Sequence, residues 1–472
     1  MKQTKSFEID MCNGTLMDKL ISFSIPLMLS GILQLMFNAV DIIVVGRFAG
    51  SESLAAVGST TALINVFTNL FIGISLGSNV LAARYYAAGK EREMSETVHS
   101  SLTLALISGI LMAFAGLFFS RTALEWMGTP DDVIDLAALY MKIYFIGMPF
   151  FMLYNYGAAI LRAVGDTKRP LLFLVVSGLV NAGLNMILVI CFHMAVEGVA
   201  IATVISQLLS CIMVLSCLYR TQGCYQFRFS KLGLKSIYVL QIFQVGIPAG
   251  IQSTVINFSN VLLQSSVNSF GSVAMAGYTA ANNIFGFLYT SVNSVTQACM
   301  SFTSQNYGAG DYRRIKKIAM ISVVTGVVTT ELLSVLAVYF GPQLLGIYSP
   351  SAEVVAAGMV RLRWIALFYG LDAIMDVIVG SLRGVGYNIL PMLVTLMGAC
   401  ASRLIWLSTV FRLPAYHRIE MVYIVYPLSW VLTATTHLIC YFFVSRKVDR
   451  ELRAHEAELA ARMEESPEEA DS

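Results

Sequence analysis

The sequence predicts an all-α polytopic membrane protein, with twelve transmembrane helices arranged as two parallel six-helix bundles. Three observations lead there. The chain is 57% hydrophobic and only 13% charged, with a mean hydropathy of +0.70, whereas soluble domains carry about 25% charged residues. The charges cluster and leave apolar runs of the roughly 20 residues that a spanning helix needs. Finally, "LRAVGDTKRP" at 161–170 returns as "LRGVGYNILP" at 382–391, an interval of 221 positions.

Taken in order, the start "MKQTKSFEIDMCNG" has no apolar core of the kind a cleaved signal peptide carries. Residues 1–21 are therefore expected to be a cytoplasmic segment, with the first helix acting as its own insertion signal. The apolar runs fall at 22–46, 54–80, 98–119, 137–160, 171–191 and 195–218, then at 239–264, 275–300, 319–341, 356–380, 388–410 and 422–444. Backbone inside hydrocarbon must pair with itself, which leaves helices or closed barrels. These runs are too long and too continuously apolar for barrel strands, which alternate with a period of 2. The expected organisation is a first lobe over 22–218, a linker over 219–238, a second lobe over 239–445 and an acidic tail over 446–472. The end of the tail, from Glu451, reads as a short helical extension followed by disorder.

Basic residues set the orientation. Of 31 Lys and Arg, 23 fall in the N-terminal segment, the tail and the loops after even-numbered helices. The opposite loops hold Arg47, Arg121, Arg412 and Arg418. The positive-inside rule then predicts a multi-pass plasma-membrane protein with both termini cytoplasmic.

The interval of 221 recurs in other loops. Gly50 answers Gly271, and "YYAAGK" at 85–90 answers "NYGAGD" at 306–311. A duplication of six spans gives two halves of one orientation, related by an axis along the membrane normal, with a cavity between them. Arg162 and Arg383 then sit at cytoplasmic helix ends, where a guanidinium can satisfy terminal carbonyls or meet lipid phosphate. Gly165 and Gly386 permit the reversal, and Pro170 and Pro391 begin the next helix, where a missing N–H costs nothing. The repeated turn is either a folding and topology device or a hinge that moves in transport.

Carboxylates inside spans cost several kcal/mol unless paired, protonated or hydrated. Asp41 lies towards the outer end of helix 1, on one face with Asn38 and Gln34; it serves transport or anchors a hydrogen bond. Asp372 and Asp376 are one turn apart on helix 10, which disfavours double ionisation. They suit proton uptake or cation holding, unless one of them lies at a wet surface. Glu331 either takes part in coupling or bonds across a helix pair. Asn155, Asn181, Asn185, Gln252, Asn257, Asn282 and Asn283 are the amides expected to line a cavity or to glue helices together.

Other classes find little support. No P-loop, GxSxG or HExxH is present, and the five histidines form no metal constellation. This excludes an enzyme of those types and ATP-driven transport within the chain, so an ion gradient is the expected energy source, with no cofactor or metal. No basic patch with interleaved aromatics supports nucleic-acid binding. The eight scattered cysteines read as apolar filler.

Several stretches together resemble the multidrug and toxic compound extrusion (MATE) transporters: "SIPLMLSGILQLMFNAVDIIVVGRFAG" with "LAAVG", "EGVAIATVISQ" at 197–207, "GIPAGIQS" at 246–253 and "DAIMDVIVGSLRGVG" at 372–386. The resemblance covers nearly all of 15–445. It implies two bundles forming a V-shaped cleft that opens alternately to each side, and export of organic cations or amphiphilic drugs against inward Na⁺ or H⁺ by a functional monomer in the bilayer. Asp41 matches the family's helix-1 aspartate, which usually pairs with a helix-5 aspartate where this chain has Asn185. Asp372 matches the helix-10 aspartate of a second-lobe cation site. The helix-7 glutamate of that site is missing, with Asn257 the nearest polar candidate, and Asp376 is extra to the pattern. A lipid-linked sugar flippase of similar architecture is the alternative. Its pyrophosphate substrate would call for a more basic cavity, whereas the intramembrane charges are expected to be mainly acidic.

Overall fold

The computed structural model describes residues 7–465. Lys2 and Lys5 of the N-terminal segment, and residues 466–472, where the tail was expected to be disordered, lie outside the described residues. The first half of the chain forms α1 (Met17–Val44), α2 (Gly50–Ala87), α3 (Glu91–Trp126), α4 (Asp131–Ile146), α5 (Met148–Ala163), α6 (Lys168–Met186) and α7 (Val196–Arg220). The second forms α8 (Ser236–Asn268), α9 (Ser272–Gly308), α10 (Tyr312–Tyr339), α11 (Gly341–Gly346), α12 (Ala352–Ala366), α13 (Tyr369–Val385), α14 (Ile389–Thr395), α15 (Ser402–Ser408) and α16 (Ile419–Glu465). Each expected span coincides with helix, and the tail continues α16 to Glu465.

Two expected spans are broken. The fourth bends by 46° between α4 and α5, and the tenth by 48° between α12 and α13. Gly147 stands at the first break, followed by Pro149, whose ring removes an N–H and fixes φ. Among the described residues nine helices are long and apolar enough to cross a membrane, and eleven spans result if each bent pair counts as one. The expected count of twelve is not reached because α9, although 37 residues long, is too polar. It carries Asn282, Asn283, Asn293 and Gln297 along its length.

The two halves repeat one another in backbone detail. Gly50 and Gly271, Gly89 and Gly310, and Gly165 and Gly386 all take positive φ, between 66° and 114°. L-residues avoid that conformation and glycine does not. Each pair is separated by the interval that the sequence repeats, so the duplication reaches the helix ends themselves.

The halves meet most closely where α2 crosses α8. Gly73 lies against Gly250, Gly77 against Ile242, and Gly246 against Ile74, so closely that a Cβ at any of these glycines would overlap the facing backbone. Without a hydrophobic drive in lipid, small residues that let backbones approach are the usual basis of such a crossing. Hydrogen bonds between the halves gather at one end of the bundle, the end that carries the repeated turns and most of the basic loops, here called the basic face. Asn79 accepts from Ser301 at 3.1 Å and Tyr85 donates to Gln241 at 3.0 Å. The N-terminal segment packs there too: Met11 is fully buried against Leu20, Phe23 and Phe302.

Candidate functional site

The first half holds a chain of polar side chains inside its helices. Asn181 and Asn185, four apart, project from one face of α6 towards α1 and α7. Asn185 donates through Nδ2 to Asp41 of α1 and, at 3.3 Å, to Asn181. Asn181 donates in turn to Thr203 of α7 at 3.5 Å. The phenols of Tyr140 and Tyr144 on α4 lie within electrostatic reach of Asp41. Asn185 is fully buried, and its Oδ1 has no partner. No basic side chain forms an ion pair with Asp41 among the described residues. Asp41 itself is half-buried, so its carboxylate pays part of the desolvation cost of a buried ion, with no ion pair among the described residues to offset it. A proton or a bound cation would offset it.

The second half is built differently. The break before α13 puts Asp372 in the first turn of that helix, where the N-terminal dipole favours negative charge. Trp430, Arg403 and Asp376 are the groups that act on its carboxylate, and Arg383 is the charge that acts on Asp376. Arg383 is 8% exposed and donates to Gln252 Oε1 at 2.7 Å. Arg403 donates to Ser429 at 3.0 Å and Asn260 at 3.3 Å, over the ring of Tyr426. Arg361 donates to the Tyr278 carbonyl at 2.6 Å and to Asn282 at 3.2 Å, and stacks 3.6 Å from the Tyr278 ring centroid.

Three sequence expectations are corrected by this arrangement. The interior charges are not mainly acidic, since Arg361, Arg383 and Arg403 are all buried in the second half, and Arg403 and Arg383 act on Asp372 and Asp376. Arg383 meets neither helix-terminal carbonyls nor lipid phosphate; its guanidinium turns inward to a side-chain amide. The α8 residue that engages this network is Gln252, 5% exposed, whereas Asn257 is exposed.

The remaining candidates scatter. Gln34 and Asn38 are exposed on α1. Asn155 and Asn283 donate to carbonyls of their own helices, Phe151 at 2.8 Å and Thr279 at 3.1 Å. Glu331 of α10 accepts from the Gly370 backbone N–H at 2.7 Å and so caps the broken span just before Asp372. Arg162 is half-buried, and Tyr154 is the group that acts on its charge. Pro170 and Pro391 fall in the first turns of α6 and α14.

Sequence reasoning did not single out Arg361, Arg403, Trp430 or the two α4 tyrosines. Arg361 and Arg403 carried a usable signal, since each is a lone charge inside or beside an apolar run. At the basic face it also missed a reciprocal pair. Arg84 of α2 donates to the Gly384 carbonyl at 2.8 Å, and Gln305 of α9 donates to the Ala163 carbonyl at 2.6 Å. Donors and acceptors are each 221 positions apart, so each half grips the repeated turn of the other.

Duplicated halves of long apolar helices, with polar clusters buried inside each, define a multi-pass membrane transporter. The MatE family model matches residues 26–187 and 248–406, and the chain belongs to that family, the MATE transporters. It is 29% identical over 440 residues to "Probable multidrug resistance protein YoeA" of Bacillus subtilis, covering 90% of this chain and 93% of that one. It is 27% identical over 379 residues to "Probable multidrug resistance protein YpnP" of the same organism, with 80% and 84% covered. Its fold is similar to a solved structure described as the outward-facing conformation of a multidrug resistance MATE family transporter. That likeness has a TM-score of 0.88 at 20% identity, over 95% of this chain and 100% of the other.

Proposed function

We propose that the protein is a secondary active antiporter of the cell membrane that exports organic cations or amphiphilic drugs in exchange for Na⁺ or H⁺. On this reading α9 also spans the bilayer, which makes twelve spans in two six-helix lobes, over 22–218 and 239–445, joined by the linker 219–238. The basic face is cytoplasmic, and the protein works as a monomer by alternating access. The names of the related proteins support drug efflux, and the halves that touch at one end support a cleft that opens at the other.

The observation that carries the reading is Asp41. It is a carboxylate within a span, held by a neutral amide and ion-paired to no basic side chain among the described residues, and so it suits a coupling ion. Asp372 and Asp376 differ because Arg403 and Arg383 act on them. They are assigned a supporting role in holding the second lobe together, with a share in coupling only if the arginines swing away. The flippase alternative draws on Arg361, Arg383 and Arg403. Each is 8% exposed or less and already donates to neutral acceptors; the Nε atoms of Arg361 and Arg383 have no partner but are buried, so a pyrophosphate would reach them only after the second half opened.

The test is purified protein in liposomes, given a panel of cationic dyes under an imposed Na⁺ or proton gradient. Gradient-dependent dye movement is expected. No movement with any dye, together with translocation of a lipid-linked oligosaccharide, would move the assignment to the flippase. Thiol labelling from outside the cell at single cysteines placed in 219–238 and in 342–355 reads the orientation, with reaction expected only at the second.

A further inference from the structure

The reciprocal contact at the basic face is symmetric in its hydrogen bonds but not in what surrounds them. Beside Gln305 and the Gly165 turn, the N-terminal segment fills the space between the halves. The Ile9 N–H donates to the Gly165 carbonyl at 3.2 Å, and the Met11 carbonyl accepts from Asn306 at 3.0 Å. The wall is apolar there, with Leu20, Phe23 and Phe302 around Met11. The repeat sets Gln305 against Arg84 at an interval of 221, but Pro26 against Pro248 at 222, so Leu20 and Phe23 answer Ile242 and Val245, with Gln241 and Gln244 one position before each. Among the described residues no chain segment fills the space beside Arg84 and the Gly386 turn, and a cavity of about 270 Å³ remains, lined by apolar Val80, Leu81 and Val245 and by polar Arg84, Gln241, Gln244 and Asn388. One half has an apolar socket with a methionine in it; the other has an unfilled socket that mixes apolar and polar side chains, with a guanidinium at its edge.

The polar groups of this socket are incompletely used. Arg84 stacks over the Tyr307 ring and gives one hydrogen bond to Gly384, but its Nε is buried without a partner. No carboxylate pairs with Arg84 among the described residues. Asn388 is 8% exposed, and its Oδ1 is buried without a donor. An uncompensated guanidinium calls for an anion, preferably a phosphate or carboxylate. An orphaned amide oxygen calls for a hydroxyl donor. At about 30 Å³ of liquid volume per water, the space exceeds what a bare anion needs and accommodates a few attached carbons.

We propose that this socket binds a phosphate group bearing a hydroxylated substituent, of the glycerol phosphate type, with Arg84 on the phosphate and Asn388 on a hydroxyl. The group comes either from a phosphatidylglycerol headgroup at the membrane surface or from a soluble sugar or polyol phosphate. Its ligands come from both halves: Arg84, Gln241 and Gln244 on α2 and α8, Asn388 on the turn after α13. An occupant therefore ties the halves together at the basic face and slows their parting, a consequence that rests on the alternating-access reading; binding itself does not.

The test compares wild type with two variants in detergent. Arg84→Gln installs the residue of the related position and keeps a donor for the Gly384 carbonyl. Gln244→Trp closes the cavity mouth and leaves Arg84 intact. Native mass spectrometry counts retained phosphatidylglycerol against phosphatidylcholine, and thermal unfolding is followed as glycerol phosphate is added. Wild type should bind one of the two phosphates. Arg84→Gln should bind it about tenfold more weakly or worse, the usual range for losing a charge-assisted bond, and Gln244→Trp should not bind it. Retention of phosphatidylglycerol alone assigns the lipid as source, and stabilisation by glycerol phosphate alone assigns the soluble one. If wild type shows neither, or if both variants bind as wild type does, the site does not exist. Should Arg84→Gln fail to fold, Gln244→Trp decides alone.

Discussion

Gly73→Ala is the sharpest perturbation of the contact between the halves. A Cβ at Gly73 would lie 2.4 Å from both the N and Cα of Gly250, where ordinary contact begins at 3.4 Å. The facing helix must retreat by the difference, 1.0 Å, or the crossing must open. Neither atom belongs to a side chain that could rotate away. Overpacking of this kind costs about 1–3 kcal/mol, which weights the touching arrangement down by about 5- to 150-fold. Helix propensity works the other way, since alanine is favoured over glycine by about 0.8–1 kcal/mol in a helix interior. The helix itself is therefore strengthened, and loss of fold is not the expected outcome. Spin labels at Glu91 and Lys317, both exposed near the basic-face ends of α3 and α10, read the separation by pulsed electron paramagnetic resonance. The variant should show a longer distance population than wild type, with slower transport. Gly58→Ala, which meets nothing within 4 Å, should leave both unchanged. A Gly73→Ala distance distribution and transport rate identical to wild type would refute the reasoning.

Gln252→Leu removes the acceptor of buried Arg383 and should lower thermal stability in detergent by about 1.5–3 kcal/mol, while Gln252→Glu should be milder; a Leu variant as stable as wild type would show that Arg383 finds another partner. Glu331→Ala strips the Gly370 N–H of its cap at the broken span and should cost about 1–3 kcal/mol. Glu331→Gln keeps an acceptor and should retain most stability, so equal losses in the two would point to the charge rather than the hydrogen bond.

Much of the fold was legible because bilayer physics leaves few choices. Long apolar runs must be helices, and the repeated loops at one interval fix two like halves. The breaks at Gly147 and before Tyr369 were not legible, because apolar composition continues through a bend. The run at 275–300 was legible as a span, yet as α9 it is more polar than the other long helices, because its residues pack against α1, α2 and α13 and need little lipid-facing surface. At the site, Asp41 and Asn185 were found as polar residues within spans, but their bond crosses 144 positions, a separation that no local pattern encodes. The inward turn of Arg383 to Gln252 was hidden for the same reason: a basic residue near a helix end reads as topology until its partner is seen. The filled and unfilled sockets depended on the N-terminal segment, whose polar, irregular sequence gave no sign that Met11 would be buried.

The most direct test of the central claim is ion-gradient-driven dye export in liposomes by Asp41→Asn beside Asp372→Asn, at matched protein content and confirmed folding. Asparagine keeps the size of Asp41 and an acceptor for Asn185 but cannot take up a proton or balance a cation. If Asp41 is the coupling carboxylate, its variant should fall to the level of empty liposomes under the gradient, while Asp372→Asn should lose chiefly stability because Arg403 is left uncompensated. Export by Asp41→Asn at the wild-type rate, with the same dependence on the gradient, would contradict the account.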